Sequence, residues 1–323
     1  MACPHCRGEL LVAEELCCRR CGHVGQLVGE RFLDFGINGG DEAGIITAWP
    51  EDLVRALPAW AEELEKETRS NDAASLEALH RHGLVGDDGS MTALGHTVRY
   101  HLDEYRWQKG HDVLDGAIQL SAIGPTVRAL DVGCGAGQTL RLLDPDQRVE
   151  LFGVDSDIAA LALGWRLART EGTGVVLARA SATTLPFRDG TFDLVLTRVA
   201  LNYMHQRSAL GEMTRVLRPG GFLFCRVERI WHDLGLLREA RSPKALICRL
   251  RDLGWGTLHA LSGWQPIPGS TLRGGRAFAS AGRLRRILGR LGCKVILAAD
   301  SPKGPLLFGR RTQLNIVAQK GGP

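Results

Sequence analysis

The sequence predicts an α/β fold in which a doubly wound, mostly parallel sheet follows a cysteine-rich segment and a helical connector. Three observations carry this prediction. From about residue 127 onward, short apolar runs alternate with helical patterns, which is typical of a parallel sheet. Two cysteine pairs lie within the first 21 residues, and helical periodicity dominates between about residues 40 and 100. We therefore divide the chain into segments 1–36, 37–104 and 105–323.

Seven apolar runs are the candidate strands of the sheet. They cover residues 128–132, 150–154, 175–178, 194–197, 222–227, 294–298 and 314–318. Helical patterns separate most of them, as crossover connections between parallel strands require. The stretch from about 229 to 278 shows little strand pattern, and we interpret it as a cap inserted over the sheet.

Composition narrows the classes of protein. Of the 323 residues, 44 % are apolar and 24 % are charged, so a sizeable core can be buried. The net charge of +4 is smaller than a dedicated nucleic-acid binder usually carries. There is no secretory signal, and no apolar run reaches the ~18 residues of a membrane span. We expect a cytoplasmic protein without a membrane partner.

A glycine loop follows the first candidate strand. The stretch "LDVGCGAG" ends an apolar run in Asp131 and then places Gly133, Gly135 and Gly137 at alternate positions. The dinucleotide fingerprint requires G-x-G-x-x-G, and its third glycine is missing here. The loop therefore suits a ligand without phosphate, whose charged amino-acid end lies across it.

The next strand supports the same site. "LFGVDSD" ends in Asp155, about 20 residues past the glycines, where a carboxylate can accept hydrogen bonds from both ribose hydroxyls. "LPFRDGTFDLVL" and "VLRPGGFLF" follow in order.

Together these four stretches resemble the class I S-adenosylmethionine-dependent methyltransferases, over about residues 100–323. The resemblance implies the Rossmann-like fold of that family and S-adenosylmethionine as the cofactor. It also implies that Asp131 and the glycine loop lie against the methionine part, and that Asp155 binds the ribose. The cofactor-binding residues implied in this way are Asp131, Gly133, Cys134, Gly135, Gly137, Asp155, Ser156, Ser181, Ala182 and Thr197. Ser181 stands where the family usually has an acid, so the adenine side keeps a hydroxyl but loses a charge.

Two CxxC pairs, eleven residues apart, predict a metal site near the start of the chain. Each pair brings two thiolates to one side of a tight turn, and two turns complete a tetrahedral site. The segment 1–36 resembles a zinc ribbon, including ribbons fused to some methyltransferases. The predicted ligands of a structural Zn²⁺ are Cys3, Cys6, Cys18 and Cys21. Cys17, His5 and His23 remain alternative ligands.

The connector holds a third pattern. Residues 76–102, "LEALHRHGLVGDDGSMTALGHTVRYHL", resemble the second half of a winged helix. Basic residues are sparse here, whereas a DNA-binding surface needs positive charge. We therefore favour a lid or a dimerisation segment, which leaves a homodimer open.

Acceptor contacts in the resembling family follow the fourth strand, here "TRVALNYMH". The catalytic candidates are Asn202, Tyr203 and His205. His205 is either a general base or a histidine at the start of a helix. Candidates to close over the cofactor are Tyr105, Arg106 and Trp107. Candidates to line an acceptor pocket, or simply to form the core of the cap, are Trp231, Trp255, Trp264, His232 and His259.

The sequence therefore predicts an S-adenosylmethionine-dependent methyltransferase with a small-molecule acceptor, in specialised metabolism. One alternative is an rRNA or tRNA methyltransferase whose ribbon grips RNA through Arg7, Arg19 and Arg20. A second alternative is a non-catalytic regulator that binds DNA and keeps a relict cofactor fold. The acceptor, the methylated atom and the oligomeric state stay open.

Overall fold

A computed structural model describes residues 10–12, 16–18, 24–28, 32–34, 80, 84–143, 148–265 and 276–322. Its described strands form an eleven-stranded sheet in the order β1-β2-β3-β4-β7-β6-β5-β8-β9-β13-β10, and a separate two-stranded hairpin, β11-β12. The strands are β1 Leu10–Val12, β2 Leu16–Cys18, β3 Val24–Val28, β4 Phe32–Asp34, β5 Val127–Val132, β6 Val149–Asp155, β7 Val175–Arg179, β8 Phe192–Arg198, β9 Leu217–Glu228, β10 Cys293–Asp300, β11 Leu306–Leu307, β12 Arg310–Arg311 and β13 Gln313–Lys320.

Seven α-helices lie within the described residues, and we number them in chain order. They are α1 Ala93–Gln108, α2 Gln138–Leu143, α3 Ile158–Glu171, α4 Gln206–Val216, α5 Ile230–Arg238, α6 Pro243–Ser262 and α7 Ala281–Arg290. Two 3₁₀ turns cover Leu120–Ala122 and Ala200–Tyr203.

The sheet is mostly parallel, as the sequence predicts. Strands β4, β7, β6, β5, β8 and β9 run parallel, and only β13 runs antiparallel between β9 and β10 on this side of the sheet. Strand order reverses at β5, because β6 lies on one side of it and β8 on the other. Ligands of open α/β sheets bind outside the carboxyl ends of the strands at such a reversal.

All seven apolar runs named from the sequence form strands of this sheet. Runs of this kind are buried on both faces of a parallel sheet and so do not alternate with polar residues. Strand β8 shows this directly, because its first six residues are all buried. The core divides into two apolar clusters, and edge-on contacts among Phe152, Phe187 and Phe192 hold one of them together.

The N-terminal strands are joined to the main sheet by backbone pairing. Strands β1, β2 and β3 pair antiparallel in turn, and β4 then pairs with β7 in parallel, with Leu33 opposite Ala178. Cys18 ends β2, while Cys3, Cys6 and Cys21 lie outside the described residues. The described part of the chain holds no cluster of three metal-binding side chains. The zinc ribbon stays a prediction.

The connector is described only in its second half. Gly86 donates its N–H to the carbonyl of Ser90, and a bridge joins Val85 to Met91, so "GDDGS" is the tip of a short hairpin. Helix α1 then begins after Thr92, whose hydroxyl accepts from the N–H of Gly95. Residues 37–79 lie outside the described residues, so the winged-helix comparison stays a prediction. Helix α1 is continuous across the predicted boundary at residue 104 and packs on α2 and α3.

Helices α5 and α6 occupy most of the predicted cap and pack on each other. The cap begins directly after β9, at the carboxyl edge of the sheet. None of the described helices combines the length and the apolarity that crossing a membrane would require.

Candidate cofactor cleft

The glycine loop follows β5, and every second residue of it, three in all, lies in the left-handed region. Gly133, Gly135 and Gly137 have φ of 80°, 54° and 65°, a conformation that glycine adopts without steric cost. The N–H groups of Gly133 and Cys134 donate to the carbonyl of Val154 at 2.8 and 3.1 Å, which ties the loop to β6. The alternate spacing seen in the sequence is thus a backbone requirement.

Two neighbouring residues lie so close to this loop that its first two glycines have no room for a Cβ atom. A Cβ on Gly135 would lie 2.4 Å from Cε1 of His101 on helix α1. A Cβ on Gly133 would lie 2.3 Å from Cβ of Ala200, in the 3₁₀ turn after β8. Helix α1 and this turn therefore form the two walls of the cleft. Burial lowers the pKa of His101 to about 4, so its ring is neutral at pH 7.

Asp131 lies at the floor of the cleft. It is 2 % exposed, and its Oδ1 has no hydrogen-bond partner. Burial raises the pKa of this carboxyl to about 7; the charge of Arg198 opposes the shift and that of Asp155 adds to it. A buried polar atom without a partner is costly, so such an atom in a cleft is a candidate to bind a ligand.

Asp155 ends β6 and organises the loop. Its Oδ2 accepts from the N–H of Gly135 at 2.7 Å, and its Oδ1 accepts from the N–H of Asp157 at 2.9 Å. Burial raises the pKa of its carboxyl, and the backbone hydrogen bonds oppose that shift. Each oxygen keeps a further lone pair, so the carboxylate can hold the loop and still accept from hydroxyl groups.

Arg198, at the end of β8, belongs to the same cleft and was missed from the sequence. Its Nη1 donates to Oγ1 of Thr139 at 3.2 Å, while its buried Nε has no partner. Burial lowers the pKa of this guanidinium to about 10, and the nearby charge of Arg226 lowers it further. Arg226 is itself paired with Asp115, so of these two cations only Arg198, which is partly buried, has no ion-paired carboxylate. The signal in the sequence that could have identified Arg198 is its position, as a charged residue directly after the apolar run "FDLVLT".

The remaining cofactor candidates lie at the same carboxyl edge. Cys134 is buried in the loop, with its Sγ against the carbonyl of Gly135, and Thr197 is fully buried with Oγ1 unpartnered. The hydroxyl of Ser181 lies 2.8 Å from that of Thr183 and accepts from its N–H, so it holds the turn after β7. Ser156 follows β6 and Ala182 packs against the core. Their roles stay predictions.

The three catalytic candidates have different surroundings. Both amide hydrogens of Asn202 donate to backbone carbonyls, those of Glu228 and Ala277, and its Oδ1 accepts from the N–H of Glu228. His205 is the N-cap of α4, with Nδ1 2.8 Å from Oγ of Ser208. Tyr203 is 58 % exposed at the mouth of the cleft. Tyr203 is thus the most exposed of the three as a residue, although burial raises the pKa of its phenol, and no observation assigns catalysis to any of them.

A buried charged cluster lies beyond Tyr203, under the cap. Arg276 is 4 % exposed, donates through Nη1 to Asp233 at 2.8 Å and pairs with Glu228. Its guanidinium lies over the ring of Tyr203, 5.0 Å from the centroid, and His232 reaches Glu228 at 3.2 Å. Burial, together with the charge of Asp252, raises the pKa of Asp233 to about 6. Sequence reasoning named His232 but missed the cluster, since Arg276 follows Asp233 by 43 residues.

The aromatic residues of the cap do not converge on one pocket. Trp255 and Trp264 have ring centroids 5.6 Å apart, whereas the ring of Trp231 lies under Arg310, 5.1 Å away. His259 is buried, and burial lowers its pKa to about 4. On the other side, Arg141 stacks on Tyr105, and Trp107 stacks on His111. Nothing is described of the side chain of Arg106.

The residues of the cleft fit a sulfonium nucleoside with an amino-acid end. The unpartnered carboxylate oxygen of Asp131, the glycine cradle and the free lone pairs of Asp155 accept positive charge and hydroxyl hydrogens. No described residue requires the ligand to carry phosphate. Fold and site together thus define an α/β domain with a candidate nucleoside cleft at the carboxyl edge of its sheet.

Comparison with known proteins agrees. A family model described as "Methyltransferase domain" matches residues 130–225. The matched segment begins within β5, ends within β9 and includes the whole glycine loop.

Individual relatives share only part of the chain. The "Ubiquinone/menaquinone biosynthesis C-methyltransferase UbiE" of Nitrosospira multiformis is 36 % identical over 134 residues, which are 40 % of this chain and 55 % of the relative. The "Demethylmenaquinone methyltransferase" of Thermus thermophilus is 34 % identical over 122 residues, 37 % of this chain and 53 % of the relative. A solved S-adenosylmethionine-dependent methyltransferase of Methanosarcina mazei is 22 % identical with a TM-score of 0.46, covering 62 % of this chain and 95 % of its own. The chain spans about half the length of these curated relatives.

Proposed function

We propose that this chain is an S-adenosylmethionine-dependent methyltransferase that methylates a small-molecule acceptor. The observation that carries the proposal is the cleft at the carboxyl ends of β5 and β6. There, a left-handed glycine loop is held by Asp155 beside a buried carboxylate, Asp131, that lacks a partner. A buried carboxylate oxygen without a partner is costly, and a ligand bound beside the loop would supply one.

The charges of the cleft assign a role to each group. Asp131 takes the α-ammonium of the cofactor, Arg198 takes its α-carboxylate, and Asp155 accepts from the ribose hydroxyls. Ser156, Ser181 and Ala182 lie on the side of the adenine, and Thr197 lies beside Asp131 across two neighbouring strands. The bound cofactor supplies a methyl group activated by a sulfonium, and the protein positions the acceptor in line with it.

A small acceptor is supported by what lies beyond the cofactor cleft. Tyr100 on α1 and Tyr203 are both more than half exposed, and the buried cluster around Arg276 closes the far side. Two relatives are named as methyltransferases of quinone biosynthesis, which are enzymes with small-molecule acceptors. Asn202 acts as a positioning residue for the turn that carries Tyr203, and His205 acts as the base only if the acceptor needs to lose a proton.

Calorimetry on the full-length protein tests the cofactor half of the proposal. We expect S-adenosylmethionine and S-adenosylhomocysteine to bind, and Asp155→Ala to weaken both by about tenfold or more, since a charged hydrogen-bond acceptor is worth about 1.5–3 kcal/mol. No heat with the wild-type protein would refute the proposal.

Transfer of a labelled methyl group tests the acceptor half. Small phenolic and quinol acceptors are compared with total RNA and with duplex DNA. Methylated RNA, bound with a steep dependence on salt, would favour an RNA methyltransferase instead. DNA binding near physiological salt without any methyl transfer would favour the regulator.

We also propose that Cys3, Cys6, Cys18 and Cys21 hold a structural Zn²⁺ and that the protein works in the cytoplasm. A four-thiolate site has no open position for catalysis. Metal analysis should give one zinc per chain, which Cys3→Ser together with Cys6→Ser removes. Sedimentation of the same samples tests whether residues 37–104 form a dimer face or a lid.

A further inference from the structure

Helix α6 of the cap carries an outward face that is apolar rather than polar. Ile247 is 66 % exposed and Leu261 is 83 % exposed, although both are large apolar residues. The further exposed apolar side chains of this helix and its C-terminal end are Leu246, Leu250, Leu258 and Trp264. Surface leucines scattered singly need no explanation, but these recur at helical spacing along one helix.

Helical geometry shows that this face is one stripe. At 100° per residue, the outward residues of α6 cluster within roughly 120° around Leu261, and Lys244 and Arg251 border that arc on one side. The opposite side of the helix is buried and includes Asp252, Gly256 and His259. The helix therefore packs on the protein through its more polar side.

The charges beside the stripe all have one sign at the surface. Between Ser242 and Trp264 the only acid is Asp252, which is 8 % exposed and accepts a hydrogen bond from Arg251 at 3.0 Å. Lys244 and Arg251 are exposed. The outward surface of α6 is thus apolar at its centre and cationic at its border.

A second element, which contacts the cap, has the same character. The hairpin β11-β12 packs against α5 and presents Phe308 at its tip, 76 % exposed, with Leu306 58 % exposed beside it. Arg310 is exposed on the same hairpin, and the guanidinium of Arg238 on α5 lies 6.0 Å from the ring of Phe308. Phe308 has φ of 49°, which is rare for an aromatic residue and turns the tip outward.

We propose that this surface, formed by α6 and the hairpin β11-β12, docks the protein on a membrane surface that carries anionic lipids. Interfacial helices combine leucine, phenylalanine and tryptophan on one side with lysine and arginine at its border, and they bind through apolar burial together with attraction to anionic headgroups. If the partner were a protein, nothing would require the 23 residues from Ser242 to Trp264 to lack an exposed acid. This role in membrane docking goes beyond the proposed function and replaces the expectation that the protein has no membrane partner. Docking would be at the surface, since none of the described helices could span a bilayer.

Docking in this way would place the cofactor cleft near the lipid headgroups. Helix α5 begins two residues after Glu228, at the carboxyl edge of β9, so the cap and the cleft share one edge of the sheet. An acceptor dissolved in the membrane could then reach the cleft without crossing water.

Vesicle flotation of the full-length protein tests the proposal without any cofactor, so its outcome is independent of the methyltransferase proposal. Vesicles of phosphatidylcholine alone are compared with vesicles that also contain phosphatidylglycerol. We expect binding to the anionic vesicles, weakened at high salt. The double variant Leu250→Ser/Leu261→Ser should lower the partition coefficient by about tenfold or more, because each leucine loses apolar burial.

Two further variants separate the causes. Lys244→Glu/Arg251→Glu should abolish the preference for anionic lipid, since the border of the stripe then repels headgroups. Ile296→Ser is the matched control, because Ile296 is a 49 % exposed apolar residue on the edge strand β10, outside both α6 and the hairpin. Wild-type protein that stays unbound with both kinds of vesicle overturns the proposal. A dimer that Leu250→Ser/Leu261→Ser dissociates, without vesicle binding, would assign the surface to a second copy of the chain instead.

Discussion

Replacing Arg198 by methionine tests whether the cleft recognises the carboxylate of its cofactor. The guanidinium of Arg198 has one hydrogen bond, to Thr139, and a buried Nε without a partner. Methionine fills a similar volume without charge. A hydrogen bond between charged groups is worth about 1.5–3 kcal/mol, so Arg198→Met should weaken S-adenosylmethionine binding by about 10- to 150-fold.

The assay is a thermodynamic cycle measured by calorimetry. Wild-type and Arg198→Met proteins are each titrated with S-adenosylmethionine and with its decarboxylated analogue. We expect the wild-type protein to lose affinity for the analogue, and the variant to bind both ligands about equally. The coupling energy of the cycle then measures the contact between Arg198 and the carboxylate.

Stability separates this role from a structural one. Arg198 is partly buried near Arg226, and each charge disfavours the other, so removing Arg198 should leave the free energy of unfolding of the ligand-free protein unchanged or higher. Arg128→Met is the matched control, because Arg128 pairs with Glu150 at the surface where β5 and β6 begin. Equal losses of affinity for both ligands, or a destabilised protein, would refute the reasoning.

Three further predictions concern the loop, the floor and the cap. Gly135→Ala should destabilise the fold in urea more than Gly172→Ala does, because both sites have positive φ but only Gly135 faces His101. Equal effects would show that the contact with α1 is irrelevant. The pKa of Asp131 is raised to about 7, so the fold favours its protonated form, and the free energy of unfolding should decline from pH 4 to pH 7 relative to Asp131→Asn. Over the same range, cofactor affinity measured by calorimetry should rise through pH 7. An Asp131→Asn protein with the same two pH profiles would contradict this. Arg276→Met should lower the free energy of unfolding by about 3–5 kcal/mol at pH 8, measured by thermal unfolding, since it leaves buried carboxylates unpaired. The loss should be smaller at pH 5, where the carboxyl of Asp233, with a pKa raised to about 6, is protonated. A loss independent of pH would count against that origin.

The inner strands of the sheet, such as β5, β8 and β13, could be predicted because they are buried on both faces. A parallel strand under helices must be apolar over its whole length, and that pattern is visible locally, as in "FDLVL" of β8. Asp131, the last residue but one of β5, and Asp155, the last residue of β6, could be placed at the carboxyl edge for the same reason. That the two acids bind one ligand stays a prediction.

Long-range pairings could not be predicted in this way. The parallel pairing of β4 with β7 joins residues 33 and 178, and no local pattern selects that partner. Arg276 and Asp233 are 43 residues apart, and only the packing of the cap brings them together. The hairpin β11-β12 has strands of two residues each, which are too short to show a period.

The cleft is matched to its ligand by the sign and the order of its charges. Asp131 and Arg198 lie on neighbouring strands, β5 and β8, and each has a buried polar atom without a partner. The charge of Arg198 opposes the raised pKa of Asp131, yet no hydrogen bond joins the two side chains. Each is therefore available to one half of a zwitterion, the ammonium at the carboxylate and the carboxylate at the guanidinium. A ligand with a single charge would satisfy only one of the two and leave the other buried at a cost. This is the physical reason to expect an amino-acid nucleoside rather than a neutral nucleoside in this site.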